Sequence, residues 1–331
     1  MMTRLATIIS TAASLLLVTL GPAGAQNYPA RAITIVVPFP AGGLTDLPVR
    51  VLAQIMQKNL KVPVVVENKT GASGVIGANY VRHAEPDGYT LLADSVADTQ
   101  NLYYMKIPYN AAKDFTYIAE IADGPPLVMV VNTKVPYKTV ADVVAAAKKK
   151  PISFGTSGYA TSPFIALKEL NAEAGTSIQA VPFHGAGDLT GALLSGSVQG
   201  MFYAFSSTKA LVDNGSVHPI AVAALKRIPA WKDVPTMQES GFPGFNYNGF
   251  VGLVAPAHTP PAIVATLNKA VNEAIHTEEY QTHVKTLGMS VPAAVDNTPE
   301  KFHASFEALT ARAGKVAKAI LAKGDAKPPA K

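Results

Sequence analysis

Apolar β-rich runs alternate with amphipathic helical patterns along the whole chain. Residues 33–37 form a continuous apolar run typical of a buried strand, and residues 46–60 repeat apolar side chains at helical spacing. The predicted strands are 33–37, 62–67, 89–93, 127–131, 152–154, 179–182, 198–203, 219–224 and 250–254, and the predicted helices are 46–60, 77–83, 139–149, 163–174, 188–194, 260–276 and 299–323. This alternation with short connections predicts an α/β protein with mostly parallel sheets that helices cover on both faces.

The pattern restarts after Gly124-Pro125-Pro126, which divides the chain into two α/β units. We expect the chain to cross to the second unit near 124–127 and to return near 248–250, after a stretch rich in proline and glycine. Residues 26–124 and 249–331 then form a discontinuous first lobe, and residues 125–248 form the second. Two lobes joined by two crossings leave a cleft between them.

The first 25 residues have the pattern of an export signal. A basic residue precedes the apolar stretch 5–20, which ends at Gly21-Pro22, and Ala23-Gly24-Ala25 has the small residues of a cleavage site. The stretch is short for a membrane anchor, and no basic stop-transfer segment follows it. We expect cleavage after Ala25 and a mature protein in the periplasm.

Composition excludes several classes of protein. The 331 residues contain no cysteine, so disulfides, thiolate metal sites and cysteine nucleophiles are excluded. The formal net charge is +5, but the basic residues are scattered. The run Lys148–Lys150 ends a predicted helix, where cations complement the helix dipole. We therefore expect no nucleic-acid partner.

The segment VVPFPAGGLTDLPVR (36–50) joins a buried strand to a helix. Pro40, Ala41, Gly42 and Gly43 predict a turn whose backbone N–H groups can approach a bound group, and the helix that starts near Asp46 adds unpaired donors and the positive end of its dipole. A carboxylate needs such donors. The alternative is an ordinary turn with Asp46 as the helix cap.

The segment ISFGTSGYATSPFIALKEL (152–170) repeats this chemistry in the second unit. Thr156, Ser157 and Gly158 follow a strand, and Thr161 and Ser162 precede a helix, where Ser162 either caps the helix or contacts a ligand. Two such loops, one from each lobe, can hold a small anion across a cleft.

A third loop, VPFHGAGDLT (181–190), also connects a strand to a helix. A lone histidine is more often structural, but His184, Gly185 and Ala186 follow the carboxyl end of a strand beside the second loop, and this favours ligand contact.

Residues 70–77, TGASGVIG, are similar to a dinucleotide-binding fingerprint. In that fingerprint the glycines follow the strand directly, whereas here the polar spacer 67–70 intervenes. The periplasm also holds little nicotinamide cofactor. We therefore expect no dinucleotide and no other cofactor.

Signatures of hydrolases are missing from the sequence. No G-x-S-x-G or H-E-x-x-H occurs, and His276 and His283 lie two helical turns apart on a surface helix, so we expect neither a catalytic residue nor a metal site. A binding protein is favoured over an exported enzyme.

The order and spacing of many segments resemble the Bug-type receptors, the extracytoplasmic solute-binding proteins of the tripartite tricarboxylate transporter family. The segments include YPARAITIVVPFPAGGLTD (28–46), VVVENKTGASGVIGA (64–78), FGTSGYATSP (154–163), VPFHGAGDLTGALLSGSVQGMF (181–202) and GLVAPAHTPPAIVATLN (252–268). The resemblance implies a two-lobed periplasmic binding protein fold of type II, a Venus flytrap, which captures a small carboxylate for the permease subunits of a membrane transporter. The remaining alternative is a ligand-sensing adaptor for a receptor kinase. We expect a monomer.

The resemblance also implies which residues hold the ligand, and it makes residues 70–77 a structural turn. The implied ligand-binding residues are Pro40, Ala41, Gly42, Gly43, Asp46, Ser95, Thr156, Ser157, Gly158, Thr161, Ser162, His184, Gly185, Ala186 and Tyr203.

Departures from the family pattern refine the expected ligand. Tyr203 stands where many members have an aspartate, which disfavours amino acids, and Phe183-His184-Gly185 replaces Tyr-Lys-Gly. The loop 93–103 is more acidic than usual. Tyr159, Phe164 and Tyr203 predict an aromatic wall, and this favours an aromatic or bulky carboxylate over a small aliphatic one.

Overall fold

The structure of the protein, a computed structural model, describes residues 28–158, 161–183 and 186–322. The predicted export signal 1–25 and the site residues His184 and Gly185 lie outside this part of the chain. No helix in the described part is long and apolar enough to cross a membrane.

Strands and helices alternate along the described chain. The strands are β1 (Ile33–Val37), β2 (Val64–Asn68), β3 (Thr90–Ser95), β4 (Phe115–Asp123), β5 (Leu127–Asn132), β6 (Ser153–Thr156), β7 (Gln179–Pro182), β8 (Gly200–Ala204), β9 (Val217–Ala223) and β10 (Phe250–Pro256). The helices are α1 (Asp46–Leu60), α2 (Val75–Arg82), α3 (Val96–Tyr104), α4 (Val140–Lys149), α5 (Ser162–Ala174), α6 (Ala186–Ser195), α7 (Phe205–Asp213), α8 (Pro261–Ile275), α9 (Glu278–Thr286) and α10 (Pro299–Ala322). Of these, β4, α3, α7 and α9 were not predicted.

The strands form two sheets with the same arrangement. The first sheet has the order β2-β1-β3-β10-β4, and the second has the order β7-β6-β8-β5-β9. In the first sheet β1 is parallel to β2 and β3, while β10 is antiparallel to both β3 and β4. In the second, β6 is parallel to β7 and β8, while β5 is antiparallel to β8 and β9. Each sheet is therefore mixed. Four strands run in one direction, and one strand, β10 in the first sheet and β5 in the second, runs in the opposite direction.

Each sheet has an apolar cluster on both faces, because successive side chains of a strand point to opposite sides. In β1, Ile35 packs in one cluster with α1 and α8, and Val36 packs in another with α2 and α10. In the second sheet, Phe202 and Met201 divide in the same way between two clusters. Each lobe thus has its own core.

Two chain segments, residues 123–127 and 247–250, cross between the sheets. The backbone N–H of Gly124 donates to the carbonyl oxygen of Gly249 over 2.6 Å. A Cβ on Gly124 would lie 2.8 Å from the Cα of Gly249, so only glycine allows this approach. The crossings therefore touch each other between the two sheets.

Candidate functional site

A cavity of about 290 Å³ lies between the two lobes, against the crossings. It is lined by residues of both lobes and of both crossings: Phe39, Leu44, Thr45, Ser73, Ser95, Val96, Ala97, Gln100, Asn101, Gly124, Pro125, Leu127, Thr161, Ser162, Ala204, Tyr247, Gly249, Phe250, Val251 and Met289. We call it the solute cavity.

Three helices begin at the solute cavity. Thr45 precedes α1, Ser95 precedes α3 and Thr161 precedes α5, and all three residues line the cavity. The first turn of a helix has unpaired backbone N–H groups, and its dipole favours a negative charge. Every described residue of the lining is uncharged. The described lining therefore offers an anion neutral donors from both lobes and contains no counter-ion.

Several hydroxyl groups in the cavity are available to a ligand. The hydroxyl of Thr45 does not cap α1 and has no hydrogen-bond partner among the described residues. Ser95 Oγ accepts from the backbone N–H of Ala97 over 3.3 Å, and this leaves its own proton free to donate. Ser162 Oγ donates to Gln100 Oε1 over 3.4 Å, a long hydrogen bond that joins the two lobes. These donors surround one small space.

The turn after β1 is built differently from the prediction. The backbone N–H of Gly42 (φ +79°) donates to Asp46 Oδ2 over 2.8 Å, and that of Gly43 donates to the carbonyl oxygen of Pro40 over 3.2 Å. Both glycine donors are thus used inside the turn. The cavity is lined by the neighbouring Leu44 and Thr45, whose backbone N–H groups have no partner among the described residues. Pro40, Ala41, Gly42 and Gly43 do not line it.

Asp46 stabilises this turn from the inside. Its side chain is fully buried, and it accepts hydrogen bonds from Gly42, from Arg50 Nε over 2.7 Å and from Asn68 Nδ2 over 2.8 Å. Burial raises the pKa of Asp46, but the hydrogen bonds from Arg50, Gly42 and Asn68 outweigh it, so the pKa is lowered overall. Asp46 was expected to contact the ligand, whereas the structure gives it a positioning role.

The second-lobe loop brings two of its five predicted residues to the cavity. Thr161 and Ser162 line it, whereas Thr156, Ser157 and Gly158 do not. Thr156 is almost completely buried at the end of β6, and its hydroxyl has no partner among the described residues. The hydroxyl of Thr161 donates to the carbonyl oxygen of Gly158 over 3.0 Å, which shapes the turn into α5.

Of the residues that suggested an aromatic wall, the two that the structure describes, Phe164 and Tyr203, do not line the cavity. Tyr203 packs with the apolar cluster that contains Met201, because residues two apart in a strand share a face, and burial raises its pKa. Phe164 is buried in the core of the second lobe. The described aromatic residues that line the cavity are Phe39, Tyr247 and Phe250.

The third loop is described only in part. Tyr159 and the pair His184 and Gly185 lie outside the described residues, and Ala186 is the first residue of α6. The strand before this loop, β7, is parallel to β6, so both strands end at the same edge of the sheet.

A pair of buried carboxyl groups lies beneath the start of α3. Asp98 accepts hydrogen bonds from the hydroxyl of Tyr109 over 2.8 Å and from Asn101 Nδ2 over 3.4 Å, and Asp94 accepts from the backbone N–H of Ser95 over 2.7 Å. Burial and the neighbouring carboxyl group raise the pKa of Asp94 well above its usual range, and burial raises that of Asp98. Both carboxyl groups therefore resist ionisation next to the cavity.

Helix α3 supplies cavity-lining residues that the sequence did not predict. Ser95 was predicted, but Gln100 and Asn101 also line the cavity, and α3 itself was not expected. One signal pointed to this helix: Ser95 and Asp98 have the spacing of a capping box.

The glycine-rich segment 70–77 packs against the turn after β1. A Cβ on Gly77 would lie 2.8 Å from Pro38 Cβ, and one on Gly74 would lie 3.2 Å from Phe39 Cζ. Protein atoms thus occupy the space beside these glycines where a dinucleotide would need room. The segment places Ser73 in the cavity lining, and its carbonyl oxygen accepts from Asn101 Nδ2 over 3.0 Å.

Comparison with known proteins identifies relatives over most of the chain. Residues 49–320 match the family model described as the tripartite tricarboxylate transporter family receptor. Protein BugT from Bordetella pertussis is 33% identical over 262 residues, which are 78% of this chain and 80% of BugT. The solved structure of MatC from Rhodopseudomonas palustris with bound malate has a TM-score of 0.75 and 31% identity, and it covers 88% of this chain and 100% of MatC. A second R. palustris protein, solved with adipate, has a TM-score of 0.75 and 29% identity. The match covers 88% of this chain and 98% of that protein.

Proposed function

The chain belongs to the tripartite tricarboxylate transporter receptor family, and we propose that its solute cavity binds a small aliphatic dicarboxylate. The protein has the two-lobed fold of the periplasmic binding proteins and is a solute-binding receptor that captures a small organic acid for a transporter of this type. The family is periplasmic and works with membrane subunits of the transporter. The expectations about family and fold are therefore confirmed.

The observation that carries the proposal is the convergence of three helix N-termini on one uncharged cavity. Thr45 and Ser95 belong to the first lobe and Ser162 to the second, so donors face each other across the cavity. A ligand with a carboxylate at each end can contact both lobes at once. Each hydrogen bond to a charged group contributes roughly 1.5–3 kcal/mol, so a few such bonds account for specific binding without a buried counter-ion.

The size of the cavity also supports a small ligand. Its volume of about 290 Å³ lies at the lower limit of the roughly 300–1,000 Å³ that small-molecule sites occupy. The related MatC and the second R. palustris protein were solved with malate and adipate, which both have two carboxylates. These observations support an aliphatic diacid over the aromatic acid that the sequence favoured. Phe39, Tyr247 and Phe250 pack against the apolar part of the ligand.

The finer features of the receptor complete the proposal. Residues 26–124 and 249–331 form one lobe and residues 125–248 the other, and the lobes close over the solute by rotation about the crossings. The contact between Gly124 and Gly249 supports this pivot. The mature chain starts after Ala25, is periplasmic and monomeric, and releases its solute chemically unchanged to the permease.

Isothermal titration calorimetry on the exported protein tests this function. The ligands are malate, adipate, citrate, benzoate and glutamate, each titrated separately. We expect saturable one-to-one binding of at least one aliphatic diacid without an ammonium group. Benzoate should not bind, and neither should glutamate, because the described lining has no carboxylate to pair with its ammonium group. Binding of benzoate without binding of any diacid would reject the proposed ligand class. NMR spectra of the bound mixture over a day test for turnover, and any product would show that the protein is an enzyme.

A further inference from the structure

A second cavity, of about 800 Å³, also lies against the crossings and is lined by residues of both lobes. Residues of the crossings alternate between the two cavities: Pro125 and Gly249 line the solute cavity, whereas Pro126 and Asn248 line the second one. Gly124 and Met289 line both cavities where they meet. Successive residues of an extended chain point to opposite sides, so the crossings form a partition between the two cavities. We call the second cavity the back groove.

The walls of the back groove belong to different lobes. The start of α7 and the segment after β9 form the second-lobe wall, and the end of α9 with the residues after it forms the first-lobe wall. The walls touch where Gly288 packs against the ring of Phe205, since a Cβ on Gly288 would lie 2.8 Å from Phe205 Cδ1. The width of the groove therefore depends on the angle between the lobes.

The back groove is positively charged, unlike the uncharged solute cavity. Among the described residues, its lining contains the cations Lys209, Lys226, Arg227 and Lys285 and one carboxylate, Asp123. The cations project from both walls, because Lys285 belongs to α9 and the other three belong to the second lobe. An anionic group is therefore attracted to either wall.

Two of these cations have no counter-ion among the residues that the structure describes. Lys209 pairs with Asp213, and Arg227 Nε lies 2.9 Å from Glu239 Oε2. Within the described chain, neither Lys226 nor Lys285 has a carboxylate within salt-bridge distance. Both lysines are exposed and free to bind an anion, one on each wall.

Two buried polar atoms in the groove also lack partners. Ser206 Oγ and Asn248 Oδ1 are buried, and neither has a hydrogen-bond partner among the described residues. The hydroxyl can donate to a carboxylate, but the amide oxygen of Asn248 only accepts and therefore needs a donor. A polypeptide with acidic side chains offers both groups, since its backbone N–H groups donate. An inorganic anion offers acceptors alone.

We propose that the back groove docks an acidic polypeptide segment of the membrane partner. The groove is much larger than the solute cavity and suits an extended segment, and the charge of its lining is complementary to acidic side chains. The inference goes beyond the proposed function and depends on it only for the effect on solute binding.

Docking opposes solute binding because the two sites lie on opposite sides of one pivot. A segment held by Lys226 and Lys285 draws the two walls of the back groove together. Motion about the crossings then opens the solute cavity. By linkage, the docked segment weakens solute binding, and bound solute weakens docking by the same factor. The receptor would thus release its solute at the membrane partner.

Fluorescence anisotropy with a labelled octapeptide of alternating Glu and Ser tests the docking. We expect the Lys226→Gln/Lys285→Gln variant to bind the peptide at least tenfold more weakly than the wild-type protein. The control Lys149→Gln/Lys150→Gln makes the same change in net charge at the exposed end of α4, and its affinity should stay within twofold. Equal weakening in both variants would overturn the proposal. Displacement of the peptide by inorganic phosphate at concentrations similar to the peptide's Kd would also overturn the proposal. The groove would then be a site for small anions in general.

The effect of bound solute on peptide docking is measured in the same assay, with malate or adipate, whichever binds, at a saturating concentration. We expect the solute to weaken peptide binding several-fold, and an unchanged or strengthened affinity would overturn the release mechanism. If no solute binds, the proposed solute class fails, while the peptide titration of the solute-free protein still decides the docking.

Discussion

Arg312 of α10 binds Glu169 of α5 through two contacts, with Nη2 2.9 Å from Oε1 and 3.1 Å from Oε2. Tyr247, in the second crossing, donates its hydroxyl to the same carboxylate. Burial raises the pKa of Glu169 even though Arg312 and Tyr247 oppose the rise. This cluster joins the C-terminal helix, a second-lobe helix and a crossing beside the solute cavity.

Loss of the arginine should destabilise the protein strongly. Arg312→Ala leaves the buried carboxylate of Glu169 without its cation, and removing one partner of a buried pair costs at least about 3 kcal/mol. Urea denaturation followed by circular dichroism measures the change in free energy of unfolding. The control is Lys58→Ala, which breaks the exposed pair with Glu279 and should cost less than about 1 kcal/mol. Equal costs for the two variants would contradict the structural role of the cluster.

The buried pair Asp94 and Asp98 predicts a pH dependence of stability. Because the folded protein raises the pKa of Asp94, it holds a proton that the unfolded chain releases above about pH 4. Stability is therefore lost as the pH rises toward the folded pKa. Asp94→Asn cannot ionise, so we expect its melting temperature, relative to wild type, to rise between pH 4 and pH 8.

Asp142 gives a control of opposite sign for the pH experiment. Backbone N–H groups of Lys138 and Thr139 donate to its exposed carboxylate, and hydrogen bonds with these two residues lower its pKa. This stabilisation is present above the unfolded pKa and is lost in acid, so Asp142→Asn should lose stability relative to wild type as the pH rises from 3 to 6. The same pH slope for both variants would contradict the assigned charge states.

The contact between the crossings should tolerate no side chain. Gly124→Ala places its Cβ 2.8 Å from backbone atoms of Gly249, and overpacking of this kind typically costs roughly 1–3 kcal/mol. Gly191→Ala in α6 is the matched control, because a Cβ there meets nothing within 4 Å, and alanine favours a helix by up to about 1 kcal/mol. Thermal unfolding gives the melting temperatures of the two variants. An unchanged melting temperature of Gly124→Ala would show that the crossings can separate.

The strongest periodic patterns in the sequence predicted their elements closely. Residues 33–37 and 46–60 were predicted as a strand and a helix, and the structure has β1 and α1 with the same bounds. Helix α3 was missed because its centre, residues 98–101, is a run of four polar residues and the helix packs against α10. Helix α9 is also short and polar. β4 did carry the apolar residues of a strand, which the prediction passed over.

The position of the site was easier to predict than its atoms. The loops at 36–50 and 152–170 both reach the solute cavity through Thr45, Thr161 and Ser162, as strand–helix junctions at one edge of a sheet must. Which donors face the ligand depends on turn geometry that a sequence does not encode locally. Gly42 turns its N–H toward Asp46, so the ligand-facing donors move to Leu44 and Thr45.

Calorimetric affinity for the best-bound diacid, in variants that each remove one cavity hydroxyl, tests the central claim most directly. Thr45→Val and Ser162→Ala remove donors from opposite lobes, and Ser195→Ala, on the exposed end of α6, is the control. We expect each cavity variant to bind roughly 10- to 100-fold more weakly, the loss of one hydrogen bond to a charged group, and the control to match wild type. Wild-type affinity in folded Thr45→Val and Ser162→Ala proteins would show that the carboxylates bind elsewhere.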